Sequence, residues 1–252
     1  MEEQAIPCER PGLTGSLFLE ATKSLSRAAR EGAIYDAIAG GAVPSFARIF
    51  ADVPLAHGDH AGVVRVALDY ASIGTDDDFV RIPMSPITAQ RLADLFGCVL
   101  PTRKLVDAIY ASAALKLAPL PLPPGPQMMS NDYYRRHHEA VEKQRGGRGA
   151  GLLIAGHKKD VVATKRLVQR PDRVAIYGWH RPAGRPIQPL SLVHEASYAD
   201  YSHGIRWVSG AMVVDGVERS IADVARDPEV AGLVSDEGPL TSMRAATPFA
   251  PA

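Results

Sequence analysis

Cysteine is nearly missing from this chain: there are two, Cys8 and Cys98, in 252 residues. Two thiols close one disulfide at most and cannot alone build a structural zinc cluster, which excludes a disulfide scaffold and a cysteine zinc finger. An excess of either charge is also missing, because 28 Lys and Arg balance 28 Asp and Glu. Such a balance creates no broad attraction to a polyanion, so no nucleic-acid partner is expected. Nor is there an apolar run near the roughly 18–20 residues of a membrane span. The opening MEEQAIPCERPG lacks the basic start and apolar core of a signal peptide. It reads equally well as a cytoplasmic start and as mature sequence behind a removed export signal.

What is present is an ordinary globular composition, 46% hydrophobic and 22% charged, in a chain long enough to bury a sizeable core. One domain over 1–252 is expected. The proline-rich APLPLPPGP at 118–126 excludes a helix interior and a central strand. It is the one place where a helical lobe (1–118) and a sheet-bearing lobe (127–252) would join.

Helical spacing runs from Leu17 to Ala39, with Gly32 as the expected break, and Ser85-Pro86 and Thr102 open two further helices. Asn131 to Arg145 reads as a polar helix. Its adjacent His137 and His138 diverge by about 100° and cannot face one metal, so a solvated face is expected. Strands are expected at Val63–Leu68, Phe79–Pro83, Leu152–Ala155 and Val174–His180. A hairpin is expected about Asp215-Gly216. A short helix is expected at Ser220–Arg226, another from Pro228, and a surface tail from Thr241. His57-Gly-Asp-His60 and the acidic Asp76–Asp78 read as turns. Gly146–Gly151 follows a helix and enters a strand, the reverse of a phosphate loop, and reads as a linker. His157-Lys-Lys-Asp160, with Lys165 and Arg166 following, reads as basic surface, the alternative being one edge of the site. Cys98, between two helices, is open to three readings: nucleophile, disulfide partner and buried packing residue.

The chemistry concentrates at 174–208, VAIYGWHRPAGRPIQPLSLVHEASYADYSHGIRWV. It holds His180, His194 and His203, both tryptophans (Trp179 and Trp207), and Tyr177, Tyr198 and Tyr201. Asp200, Ser202 and Arg206 stand among them. Side chains that transfer protons, ligate metal or stack on ligands are what a site needs. As a strand, 174–180 puts Ala175, Tyr177 and Trp179 on one face and Val174, Ile176, Gly178 and His180 on the other. Residues 182–189 read as a long ordered loop. If 194–200 is extended, His194, Tyr198 and Asp200 share a face; if 200–203 turns, Asp200 meets His203.

Ser202-His-Gly-Ile-Arg206 resembles the S-H-G-C-I-R signature of L,D-transpeptidases, cell-wall enzymes in which a cysteine attacks a peptide carbonyl and a histidine acts as base. The likeness covers five residues and lacks the cysteine between Gly204 and Ile205. What it implies is a cell-wall polymer as substrate.

Two hydrolytic chemistries fit these residues. In one, His203 or His194, oriented by Asp200, activates water or Ser202, and Arg206 or Tyr198 stabilises developing negative charge. In the other, His180, His194 and Asp200 or His203 hold a zinc ion that supplies hydroxide. The expectation is a hydrolase of an amide, ester or glycosidic linkage in a polymeric or small substrate, with either no cofactor or zinc. The competing expectation is a non-catalytic carbohydrate- or peptidoglycan-binding module that stacks sugars on Tyr177, Trp179, Tyr198, Tyr201 and Trp207. The fold class expected is α+β, a helical N-terminal half packed on a mostly antiparallel sheet from the C-terminal half.

Overall fold

The strands of the largest sheet come from both ends of the chain. A computed structural model describes residues 12–148 and 151–246; Cys8, and Gly149 and Ala150 of the glycine run, lie outside the described residues. In chain order the first elements are α1 (Gly15–Ala21), α2 (Arg27–Ala39), β1 (Phe50–His57), β2 (His60–Ala67), β3 (Ser72–Gly74) and β4 (Phe79–Arg81). Next come α3 (Pro86–Leu95), β5 (Cys98–Val99), α4 (Arg103–Ser112), β6 (Leu115–Lys116), α5 (Asn131–Arg145), β7 (Ile154–Ala155) and β8 (Lys159–Val161). The remainder are β9 (Ile176–His180), β10 (Pro186–Ser191), β11 (His203–Gly204), β12 (Val208–Val214), β13 (Val217–Ser220) and α6 (Ile221–Arg226).

The class is α+β with mostly antiparallel pairing, but helices and strands interleave instead of forming separate halves. The expected division fails because β1 and β2 complete their ladder with C-terminal strands, in the order β1-β2-β12-β13, with β5 also on β12. Alternation drives this sheet. Val53, Leu55, Val64 and Val66 turn inward while Asp52, Pro54, Val63 and Arg65 face solvent. The inner face packs on Leu105 and Ile109 of α4 and on Ile221 and Val224 of α6. Each such fully buried aliphatic side chain contributes about 1.5–3 kcal/mol.

A second sheet has the order β10-β9-β8-β11 and contains the parallel β8·β11 pair. Around it, residues of α2, α3, α5 and β3–β4 form the other large core, including Ile34, Ile38, Ile73, Leu92, Tyr134 and Trp207. The helix starts follow their caps: Ser85, Thr102 and Ser130 each accept a backbone N–H three residues on.

Several expectations need correction. The break between α1 and α2 falls at 22–26, where Ser26 caps α2, and Gly32 lies inside that helix. Residues 182–189 are no long loop, because β10 pairs with β9 in a hairpin. Residues 194–200 are not a strand. Beyond Pro228 the described residues hold only the short turn Ala231–Leu233 in place of the expected helix. The segment 241–246 is docked: Arg244 pairs with Asp94 and the Ala245 N–H donates to Gln90. The turns at 57–60 and 215–216 are present, and their side chains meet, His60 Nδ1 lying 2.7 Å from Asp215.

Candidate functional site

In β9 the two-residue period breaks at one point. Gly178 and Trp179 both have positive φ, 108° and 57°, a conformation open to glycine and costly for tryptophan. Two left-handed residues in succession flip the strand. Tyr177 therefore stays with Ala175 in one cluster, while Trp179 crosses to join Val174 and Ile176 in another. His180 moves to the side of Tyr177. Its Nε2 lies 2.8 Å from Asp107 of α4, which also accepts the Tyr177 hydroxyl at 2.9 Å, and Tyr110 stacks on the imidazole.

This placement separates the proposed zinc ligands. His180 is spent on Asp107, His194 stacks on Tyr198 with 4.1 Å between ring centroids, and Asp200 bonds Ser202 and Tyr198. Among the described residues no group of three or more His, Cys, Asp or Glu side chains is arranged to hold a metal ion. Tyr177, Trp179, Tyr201 and Trp207 are all buried, which leaves Tyr198 as the one half-exposed ring of the five named as stacking residues. Cys98 is half-buried in β5 and its sulfhydryl donates to the Phe96 carbonyl.

The structure does bring Asp200 and His203 together, through a turn closed by the His203 N–H on the Asp200 carbonyl at 3.0 Å. The turn is followed at once by β11, which pairs with β8. One Asp200 oxygen accepts the Ser202 hydroxyl (2.6 Å) and N–H (2.7 Å), and the other accepts the Tyr198 hydroxyl (2.9 Å). His203 Nε2 stands 4.0 Å from that second oxygen, beyond hydrogen-bond range. Only 1% of His203 is exposed, and neither ring nitrogen has a hydrogen-bond partner among the described residues. Burial lowers the His203 pKa to about 4 despite the attraction of Asp200. Burial would raise Asp200, but the His203 charge and the Ser202 donors outweigh it and hold the carboxyl below its usual range. With His203 neutral near pH 7, the Ser202 donors and the Lys159 charge are what remain. Because the Ser202 hydroxyl points to Asp200, Ser202 is not arranged as a histidine-activated nucleophile.

Two further segments belong to this polar interior, against the expectation of a solvated surface. His157, Lys158 and Asp160 are not basic surface; all three are buried. Lys158 donates to the Tyr201 carbonyl at 2.5 Å, and burial lowers its pKa to about 7. His157 Nε2 lies 3.1 Å from Asp69, whose other oxygen takes two donors from Arg81 at 2.6 and 3.0 Å. Burial pushes Asp160 up to about 6 even though it accepts the Tyr70 hydroxyl. His137 is not on a solvated face either. It has no exposed surface, its ring lies 5.1 Å from that of Tyr201, and neither nitrogen has a partner among the described residues. Two signals were readable. His137 sits at helical spacing with Tyr133, Tyr134 and Val141, and 157–160 lies between the apolar runs 152–155 and 161–163. Arg206 is a structural residue here, donating to the Ala67 and Ile154 carbonyls at 2.7 Å and lying over the Tyr70 ring.

No protein family, curated protein or solved structure matches this chain. No helix among the described residues is long and apolar enough to cross a membrane.

Proposed function

We propose that this protein is an acid–base hydrolase of an amide, ester or glycosidic linkage, with His203 as the general base and Asp200 as the carboxylate that stabilises its protonated form. One observation carries the reading: His203 is buried beside Asp200 with both ring nitrogens unpartnered among the described residues. Each polar group left unsatisfied in an interior costs about 1–3 kcal/mol, and a role in chemistry is one reason such a group is retained. A neutral imidazole at pH 7 has a lone pair available for a proton. Once protonated at 4.0 Å from the carboxylate, it is attracted by about 4 kcal/mol at an effective dielectric constant near 20.

The route from solvent is the edge formed by His194, Tyr198 and Lys159, all half-buried. On this reading the 194–198 turn moves aside to admit substrate, and Lys159 meets the developing negative charge, a role that neither Arg206, tied to two carbonyls, nor Tyr198, whose hydroxyl is donated to Asp200, can fill. The stacking-module alternative is the weaker one, given four buried aromatic rings.

Purified cell-wall polymer, chosen for the Ser202–Arg206 resemblance, and chromogenic ester, anilide and glycoside substrates would identify the bond cleaved. His203→Ala should lower turnover by about 10²–10⁴-fold with the circular dichroism spectrum unchanged. Full activity in His203→Ala, or no turnover of any of these substrates by the parent protein, overturns the proposal.

A further inference from the structure

Two adjoining cavities of 290 and 440 Å³ open beside the C-terminal half of α5, and neither Asp200 nor His203 lines them. The smaller has an apolar wall of Phe46, Ile49, Leu68, Phe79 and Ile154. Phe46 and Phe79 form an aromatic corner there, edge to face with centroids 5.0 Å apart. Asp76, Phe79 and Arg145 line both cavities and so mark their junction. The junction thus presents one carboxylate and one guanidinium next to an apolar chamber.

Both charges are held in place. The Asp76 carboxylate accepts the Ser45 N–H at 2.7 Å. Arg145, with only 13% of its side chain exposed, is braced by Glu142 at 3.3 Å and by the Arg148 carbonyl. Asp69 also lines the apolar chamber, but Arg81, His157 and the Tyr70 N–H occupy its oxygens. It is not the group that reads a ligand.

From this arrangement we infer that the cavity binds a free α-amino acid with an apolar side chain. The ammonium would lie on Asp76, the carboxylate on the Arg145 guanidinium, and the side chain against Phe46 and Phe79. A chamber at the lower end of ligand-site sizes suits a small zwitterion better than a drug-sized molecule. Charge-assisted hydrogen bonds at both ends would fix its orientation. The proposal does not depend on the hydrolase reading.

Titration calorimetry with L-leucine, L-phenylalanine, glycine, L-leucinamide and N-acetyl-L-leucine tests it. Leucine and phenylalanine should bind saturably and about tenfold or more tighter than glycine. Leucinamide lacks the carboxylate and N-acetyl-leucine lacks the ammonium, so both should bind weakly. Asp76→Asn and Arg145→Gln should each weaken leucine binding by about tenfold, with thermal unfolding confirming that they fold. His203→Ala should leave binding unchanged. No leucine binding up to about 10 mM by the folded parent protein overturns the inference. So does leucinamide, N-acetyl-leucine or glycine binding as tightly as leucine.

Discussion

Arg81 has no exposed surface, and its guanidinium is divided between Asp69, at 2.6 Å, and Glu142, at 2.7 Å. Burial alone would raise the Asp69 carboxyl; Arg81, and after it His157, bring it well below the usual carboxylate range. Removing one member of such a group leaves a buried charge without its counterion, a larger loss than replacing the whole pair. Arg81→Met should therefore destabilise the protein by about 3–5 kcal/mol. Adding Asp69→Asn should return part of that loss. Urea unfolding of the two single variants and the double variant measures both, and a change below about 1 kcal/mol in Arg81→Met would show that the pair is solvated. None of this was readable in advance, because Asp69 and Arg81 come from neighbouring segments with no motif of their own, and only the packing of α5 over them brings Glu142 close.

At the scale of elements, what was legible followed simple periods and caps. The span of α5, Asn131–Arg145, agrees with its reading from sequence, as do the Ser85 cap, the 215–216 hairpin and α6. The failures also have local causes. Glycine at 32 suggests a helix break, yet the Ser26 cap supplies the break, and Gly32 sits exposed inside α2 with open space about its missing Cβ. Alanine there loses less backbone entropy on folding, so Gly32→Ala should stabilise the protein by about 0.5–1 kcal/mol. A rise in the thermal midpoint would bear this out, and a fall would mean that α2 needs its glycine. In β9, Gly178 was the only cue to the flipped strand. Residue type alone gives no reason to expect Trp179 at φ 57°, so a regular two-residue period puts Trp179 and His180 on the wrong faces. The Asp200–His203 turn was legible because Gly204 follows it. A Cβ at Gly204 would come within 2.6 Å of the Tyr70 ring and 2.7 Å of Lys158.

Over the whole molecule, the buried histidines make the fold sensitive to acid. An unfolded histidine takes its proton near pH 6.5. Burial lowers His157 and His203 to about 4 and His138 to about 3, and it brings His137 well below its usual value. Between those values and pH 6.5 the unfolded chain binds more protons, so stability is lost as pH falls through this window. Asp160 opposes the trend, because with its pKa pushed up to about 6 the folded state keeps a proton that the unfolded chain has released. Four histidines outweigh one carboxyl, so unfolding takes up protons on balance near pH 5. The thermal midpoint should fall steeply from pH 6.5 to 5. A flat profile over that range would mean that the histidines accept protons within the fold. Lys158, lowered to about 7 by burial, acts at the other end: stability should rise as pH increases from 7 toward the 10.5 of an unfolded lysine.

The largest sheet also fixes an order of events during synthesis. Val66 of β2 pairs with Val208 of β12, so synthesis must run past residue 208 before β2 acquires its second neighbour. Until then β2 shows an unpaired edge, and the inner face of the hairpin, Val53, Leu55, Val64 and Val66, has α4 but not yet α6 to pack on. An isolated two-stranded hairpin is marginal in water, and pairing between distant segments is slow. The nascent protein therefore has a long interval in which an incomplete sheet is exposed, and a chaperone that shields β-edges would have its opportunity then.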